Sequence, residues 1–271
     1  MRRTIALSVA ASTALGLAAC DDVTGPDSGE PGYYPVAIEG EWRGQALPGD
    51  LLEIKGISGD IGASAATGLE VVVRWTKRAR HGDPAGVTVE VIRHANGITI
   101  CAVYPNPPGR PKNKCLPGEQ GNMVVQDNDV SVEFSVAVPT GVELSARTVS
   151  GDIDADGLRS YVFGSTVSGN VSITTSEFAD ASTVSGSIDA SIGCSNWDRD
   201  LAFTTVSGSV SVTIPGNTNA EVWATAETGT VASDFALPEL QDGTIRGTLG
   251  AGGALLRLAT VGGSIELRRG S

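Results

Sequence analysis

Positive charge is in short supply: 19 Lys and Arg stand against 31 Asp and Glu among 271 residues, a net charge of −12. A chain of that balance lacks the positive footprint that phosphate binding needs, which excludes nucleic acid as a partner. Histidine occurs only as His81 and His94. Neither has a neighbour at zinc-ligand spacing and neither supports a Ser-His-Asp arrangement, so both read as surface residues. No apolar run reaches the roughly 20 residues that span a bilayer as a helix. No mature segment carries the 3.6-residue periodicity of an amphipathic helix. The clustered carboxylates or basic catalytic group of a glycan hydrolase or lyase are also missing. The reading from these absences is no enzyme, no cofactor and no metal, on a chain long enough to bury a real core.

What is present begins with an address. Arg2 and Arg3 precede a short apolar run, residues 5–17, and small residues follow. That is the layout of a secretory signal, expected over residues 1–19. The cut site, Leu17-Ala18-Ala19-Cys20, resembles the lipobox of bacterial lipoproteins. The resemblance implies that Cys20 is diacylated on sulfur with palmitate-type chains, freed by the signal peptidase, and acylated again at its new N-terminus. Several chains anchor stably where one would be marginal. Without Arg2 and Arg3 the mature chain carries 17 basic and 31 acidic residues, a net −14. Asp21 resembles the inner-membrane retention signal of enteric bacteria, a code other lineages ignore, so the membrane leaflet stays open. Residues 20–35, rich in Pro and Gly, read as the lipidated Cys and a flexible tether. The folded domain is expected over 36–271.

A repeat organises that domain. Thr148-Val149-Ser150-Gly151-Asp152-Ile153 returns at Thr166–Val171, Thr183–Ile188 and Thr205–Val210, with weaker copies at Ile57–Ile61, Glu227–Val231 and Thr260–Ile265. The glycines from Gly151 to Gly229 step by 18, 17, 22 and 21 residues, and 34 more lead to Gly263. Such steps exceed a hairpin and suit one coil of a β-solenoid, clearest over residues 148–271. Strand alternation through the motif places Val149, Gly151, Ile153 and Ala155 inward. Thr148, Ser150, Asp152 and Asp154 then point outward, so stacked coils would carry outer ladders of Thr and Ser. Each glycine either bends the strand or admits a close backbone, and the residues alone leave both roles open. Upstream, residues 69–75, 87–92, 98–103 and 130–138 are β-branched strands bounded by turn residues. The fold class is all-β, a parallel β-solenoid with a less regular N-terminal strand portion.

Other residues invite chemistry. Asp152, Asp154, Asp156 and Gly157 resemble the opening of a calcium loop, but Phe163 stands where the bidentate Glu belongs, so they read as a solvated edge. Cys101 and Cys115 flank a loop holding Pro105, Pro107, Pro108 and Pro111. In an exported protein they read as a disulfide, the alternative being free thiols. Cys194 is left over, a buried small hydrophobe. Residues 74–114 are locally +6, and Arg74, Lys77, Arg78 and Arg80 form a candidate patch for an anionic partner, the alternative being a charged edge that discourages aggregation.

The T-V-S-G-x-[IV] units resemble the bacterial candidate-adhesin family, domains of unknown function built as right-handed parallel β-solenoids. Leu52–Ile61 is similar to the family's opening strand, Val138-Pro139-Thr140-Gly141-Val142-Glu143-Leu144 to its step into the repeats, and residues 250–267 to its closing coil. The resemblance covers roughly residues 50–269; residues 76–126 depart from it, like an insertion. Together with the lipobox, the tether and the outer Thr/Ser ladder from Thr148/Ser150 to Thr205/Ser207, it points to a lipid-anchored, non-enzymatic envelope protein, an adhesin-like binding or structural module. Its partners would be the membrane, through the anchor, and a glycan or an envelope protein. The alternative is a periplasmic scaffold or accessory of an envelope-stress or assembly system. A carbohydrate-active enzyme on the same scaffold ranks below both.

Overall fold

The structure, a computed structural model, describes residues 37–240 and 243–270. The signal peptide, Cys20 and the tether lie outside the described residues. Strands follow in chain order as β1 (Ile38–Gln45), β2 (Leu51–Lys55), β3 (Ile61–Ala65), β4 (Glu70–Arg78), β5 (Thr88–His94), β6 (Gly97–Val103) and β7 (Ser131–Val138). The repeats supply β8 (Glu143–Arg147), β9 (Ile153–Leu158), β10 (Val162–Ser165), β11 (Val171–Thr175), β12 (Ala179–Ser182) and β13 (Ile188–Ile192). The last are β14 (Leu201–Ser207), β15 (Val210–Pro215), β16 (Ala220–Thr228), β17 (Val231–Ser233), β18 (Ile245–Leu249), β19 (Leu255–Gly262) and β20 (Ile265–Gly270).

These strands form two 10-stranded sheets. One runs β1-β4-β7-β3-β9-β11-β13-β15-β20-β17, the other β18-β16-β19-β14-β12-β10-β8-β2-β6-β5. Each rung of the solenoid gives one strand to each sheet, as β8 and β9 do, joined by the T-V-S-G corner. The rungs pair in parallel. Three of the four sheet ends do not: β1, β4, β5 and β18 pair antiparallel, so the sheets are mixed rather than purely parallel. Antiparallel strands thus cover three of the four sheet ends, while the fourth ends on the short parallel strand β17, which keeps that open edge brief.

The core lies between the sheets. The last position of each repeat forms one column, Ile61–Ile153–Val171–Ile188–Val210–Ile265, in register from rung to rung and at most 1% exposed. Fully burying each such side chain contributes about 1.5–3 kcal/mol. Leu52, Leu144 and Val162 form the facing column, each fully buried.

Stacking order departs from chain order at both ends. β2 and β3 sit between the β6–β7 rung and the β8–β9 rung. β19 and β20 likewise sit between β14–β15 and β16–β17. The 34-residue step from Gly229 to Gly263 is therefore not two further coils. The chain skips a slot, builds the outer rung and the β18 hairpin, and returns to fill it.

The expected orientation of the motif is corrected. Thr148, Thr166, Thr183 and Thr205 are buried, 3–5% exposed, whereas Val149, Val167, Val184 and Val206 are 43–49% exposed. The alternation assumed one continuous strand, but β8 stops at Arg147 and β9 starts at Ile153. Thr148 continues the inward phase of Leu144 and Ala146. The next four residues round the corner with Val149, Ser150 and Asp152 facing solvent, and Ile153 restarts the inward phase.

Candidate functional site

Nearly every position of the corner has an internal bond. The buried Thr hydroxyls donate to the glycine carbonyl of the neighbouring rung: Thr166 to Gly151 at 3.0 Å, Thr183 to Gly169 at 2.9 Å, Thr205 to Gly186 at 2.9 Å and Thr260 to Gly208 at 2.8 Å. The glycine performs both roles left open by the sequence. Gly186 sits at φ +155°, and a Cβ there would stand 1.9 Å from the Gly169 carbonyl oxygen. The residue after glycine builds a side-chain-to-backbone ladder: the N–H groups of Asp152, Asn170, Ser187 and Ser209 donate to side-chain oxygens of Asp60, Asp152, Asn170 and Ser187 at 2.7–3.1 Å. Asp152 therefore serves this ladder. Among the described residues no group of three or more His, Cys, Asp or Glu is placed to hold a metal ion.

The valine backbone joins rung to rung as well, but its side chain has no such internal role. Val149, Val167, Val184, Val206 and Val261 project from successive rungs, each 41–49% exposed. At about 4.8 Å per rung they form a straight apolar ridge, edged by Ser150, Ser168, Ser185 and Ser207, whose backbones bridge rung to rung. Completing the burial of a half-exposed valine is worth about 1 kcal/mol, so the whole ridge offers roughly 5 kcal/mol gross. Association alone costs 4–15 kcal/mol (on the order of the same gain or more). One ridge therefore holds a partner weakly, and strength must come from many copies.

At its N-terminal end the ridge meets a cavity of about 360 Å³. It is lined by Ile57 and Val149 of the rungs, by Cys101 of β6, and by Leu116 and Met123 of the loop after β6. Cys101 and Cys115 form a disulfide with Cα atoms 5.7 Å apart. The Asn113 side chain ties the loop down, donating to the Tyr104 and Val124 carbonyls at 3.0 and 2.9 Å and accepting from the Val124 N–H at 2.7 Å. Beside the cavity Glu53 is 2% exposed and accepts from the Thr99 hydroxyl at 2.6 Å and the Gly118 N–H at 2.9 Å. Burial pushes its carboxyl up, but those donors and the charges of Lys55 and Arg147 outweigh burial and hold it below the ordinary carboxylate range. Burial likewise pulls Lys55 down; its ammonium donates to the Leu116 and Gly118 carbonyls.

The expected basic patch is not one free surface. Arg74 pairs with Glu41 at 2.7 Å and Arg78 with Glu133 at 2.5 Å. Lys77, one residue out of phase with Arg78 on β4, is buried and donates to the Val87 carbonyl at 2.7 Å. Arg80 is exposed beyond the end of the strand. His81 lies on the surface against Asp129 at 3.4 Å. His94 is half-buried instead, its Nε2 3.1 Å from the Thr99 hydroxyl. Cys194, expected in the core, is half-buried with Sγ 2.8 Å from the Asn196 carbonyl, because it falls in the turn after β13. Sequence reasoning missed the ridge and the cavity. The ridge was visible as the in-phase run Leu144, Ala146, Thr148 leading into the corner; the cavity depends on loop closure and had no such signal.

A rung solenoid of two packed, mainly parallel sheets defines a structural class without a fixed chemistry. Within it, the Toastrack DUF4097 family model matches residues 109–268, and the chain belongs to that family. A candidate cell adhesion protein from Clostridium sporogenes shares the fold at 10% identity, with 86% of this chain and 100% of that chain covered and a TM-score of 0.50. A candidate adhesin from Bacteroides fragilis matches at 11% identity over 86% and 97% of the two chains, with a TM-score of 0.39. No functionally curated protein matches.

Proposed function

We propose that this protein is a lipid-anchored, non-enzymatic module of the bacterial cell envelope, tethered through Cys20 and presenting its solenoid outward for adhesin-like binding of a glycan surface. The solenoid winds right-handed, as parallel β connections almost always do. The observation that carries the reading is the ridge. Of the positions repeated toward solvent, the valine is the apolar one, whereas the threonine and the glycine are committed to folding. An apolar ridge edged by hydroxyls suits the C–H faces and hydroxyls of sugar rings, and its weak single-copy energy suits a molecule displayed many times on a membrane. The Clostridium sporogenes neighbour, designated a candidate cell adhesion protein, supports the same direction.

The test compares attachment to glycan-coated surfaces by cells producing the wild-type chain or Val167→Lys/Val184→Lys/Val206→Lys. These side chains are half-exposed, so the variant folds, which circular dichroism checks. Attachment is expected to fall at least about tenfold, because the lost burial is multiplied across copies. Unchanged attachment by a folded, equally abundant variant would remove the ridge from the function.

A further inference from the structure

Beyond the ridge, we propose that the cavity between the first rungs and the disulfide-braced loop is a binding site for an anionic amphiphile, one short apolar chain carrying a carboxylate or phosphate. Four observations converge. The volume, about 360 Å³, lies in the range of small-molecule sites. The walls are apolar: Ile57, Ala102, Leu116, Met123 and Val149.

The rim is positive in an otherwise acidic protein. Lys55, Lys114 and Arg147 line it against Glu119, where the whole chain is −12. The three cations are differently engaged. Lys55 is held by two backbone carbonyls and pairs with the Glu53 carboxylate at 3.7 Å. Arg147 is held by Glu119 and lies over the Phe163 ring at 4.7 Å. Among the described residues the exposed Lys114 ammonium has no hydrogen-bond or ion-pair partner, so it is the cation free to take an anion at the mouth.

The cavity is also preformed. Its outer wall is fixed by the Cys101–Cys115 bond, by Asn113, and by the Tyr104 hydroxyl donating to the Val130 carbonyl at 2.7 Å. A ligand entering it orders no loop, which removes one of the main costs of binding. A cavity that were only a packing fault would need neither this bracing nor a free cation at its mouth.

Isothermal titration of the purified full chain with decanoate, decyl phosphate and decyltrimethylammonium, each below its micellar concentration, tests the site. The anions are expected to bind one per chain and the cation at least about tenfold more weakly, as a single uncompensated charge requires. Preference for decyl phosphate over decanoate would assign the phosphate source, and the reverse the carboxylate source. Val149→Trp fills the mouth and is expected to weaken binding more than about tenfold, whereas Val206→Trp, the same motif position away from the cavity, changes it less than twofold. Lys114→Glu is expected to weaken both anions. Absence of binding, equal affinity for the cation, or equal effects of the two tryptophans would overturn the proposal. None of these results bears on attachment through the ridge, which the triple lysine variant reads separately.

Discussion

The glycine of the repeat carries a prediction that can be sized from the structure. At Gly186 an alanine Cβ would lie 1.9 Å from the Gly169 carbonyl oxygen and 2.5 Å from its carbon, at a backbone φ of +155°. The dihedral alone costs about 1–3 kcal/mol for a residue with a Cβ. Relieving the clash means pushing the rungs apart, an overpacking cost of about 1–3 kcal/mol. The oxygen that must move also accepts the Thr183 hydroxyl at 2.9 Å, a bond worth about 1 kcal/mol. Together Gly186→Ala should cost about 3–7 kcal/mol, a large share of the 5–15 kcal/mol (on the order of a whole domain's stability). Gly109 is the control: its φ is +71° with nothing within 4 Å of a Cβ, so Gly109→Ala should cost only about 1–2 kcal/mol. Urea unfolding followed by tryptophan emission and circular dichroism measures both. Equal, small losses at the two positions would refute close rung contact as the reason for the glycine.

Three further outcomes follow from the same geometry. Thr183→Val removes a buried donor and should cost about 1–3 kcal/mol, whereas Val184→Thr should stay within about 0.5 kcal/mol; the reverse order in urea melts would restore the outward-threonine reading. Cys101→Ser/Cys115→Ser opens a loop of sequence separation 14 and should lower stability by about 3 kcal/mol, read by the same melts with and without reductant. The folded Glu53 carboxyl is depressed below its ordinary 4.5, so its contribution is fully present above that pH and is lost as pH falls through the folded value. Stability of the wild type should therefore drop more steeply below about pH 4.5 than that of Glu53→Gln, and parallel acid profiles for the two would remove Glu53 as a source of acid sensitivity.

Much of the architecture was legible because β-branched strands and a recurrent motif are local signals. The strands now placed as β4 to β7 and the column Ile153–Val171–Ile188–Val210 follow from alternation and repetition alone. The corner was not legible in the same way. Alternation is a property of extended backbone, and the glycine dihedral that ends it cannot be seen in residue types, so Thr148 and Val149 exchanged sides. The intercalated rungs were hidden for another reason. Gly263 bears the same motif as Gly208 and Gly229, and a repeat unit says which surfaces can stack without saying in what order the chain fills the slots. The basic patch failed on a smaller scale, since Arg74, Lys77 and Arg78 are close in sequence but split between two faces of β4. The cavity wall depends on Asn113 and the disulfide closing a Pro-rich loop onto β2, a long-range event with no local signature.

Outward presentation is the claim on which adhesin-like function rests, and protease shaving of intact cells tests it most directly. The domain is followed with an antibody beside a periplasmic control protein. The solenoid signal is expected to be lost while the control survives. Protection of the domain until the outer membrane is opened would contradict it and turn the function inward, toward an envelope scaffold.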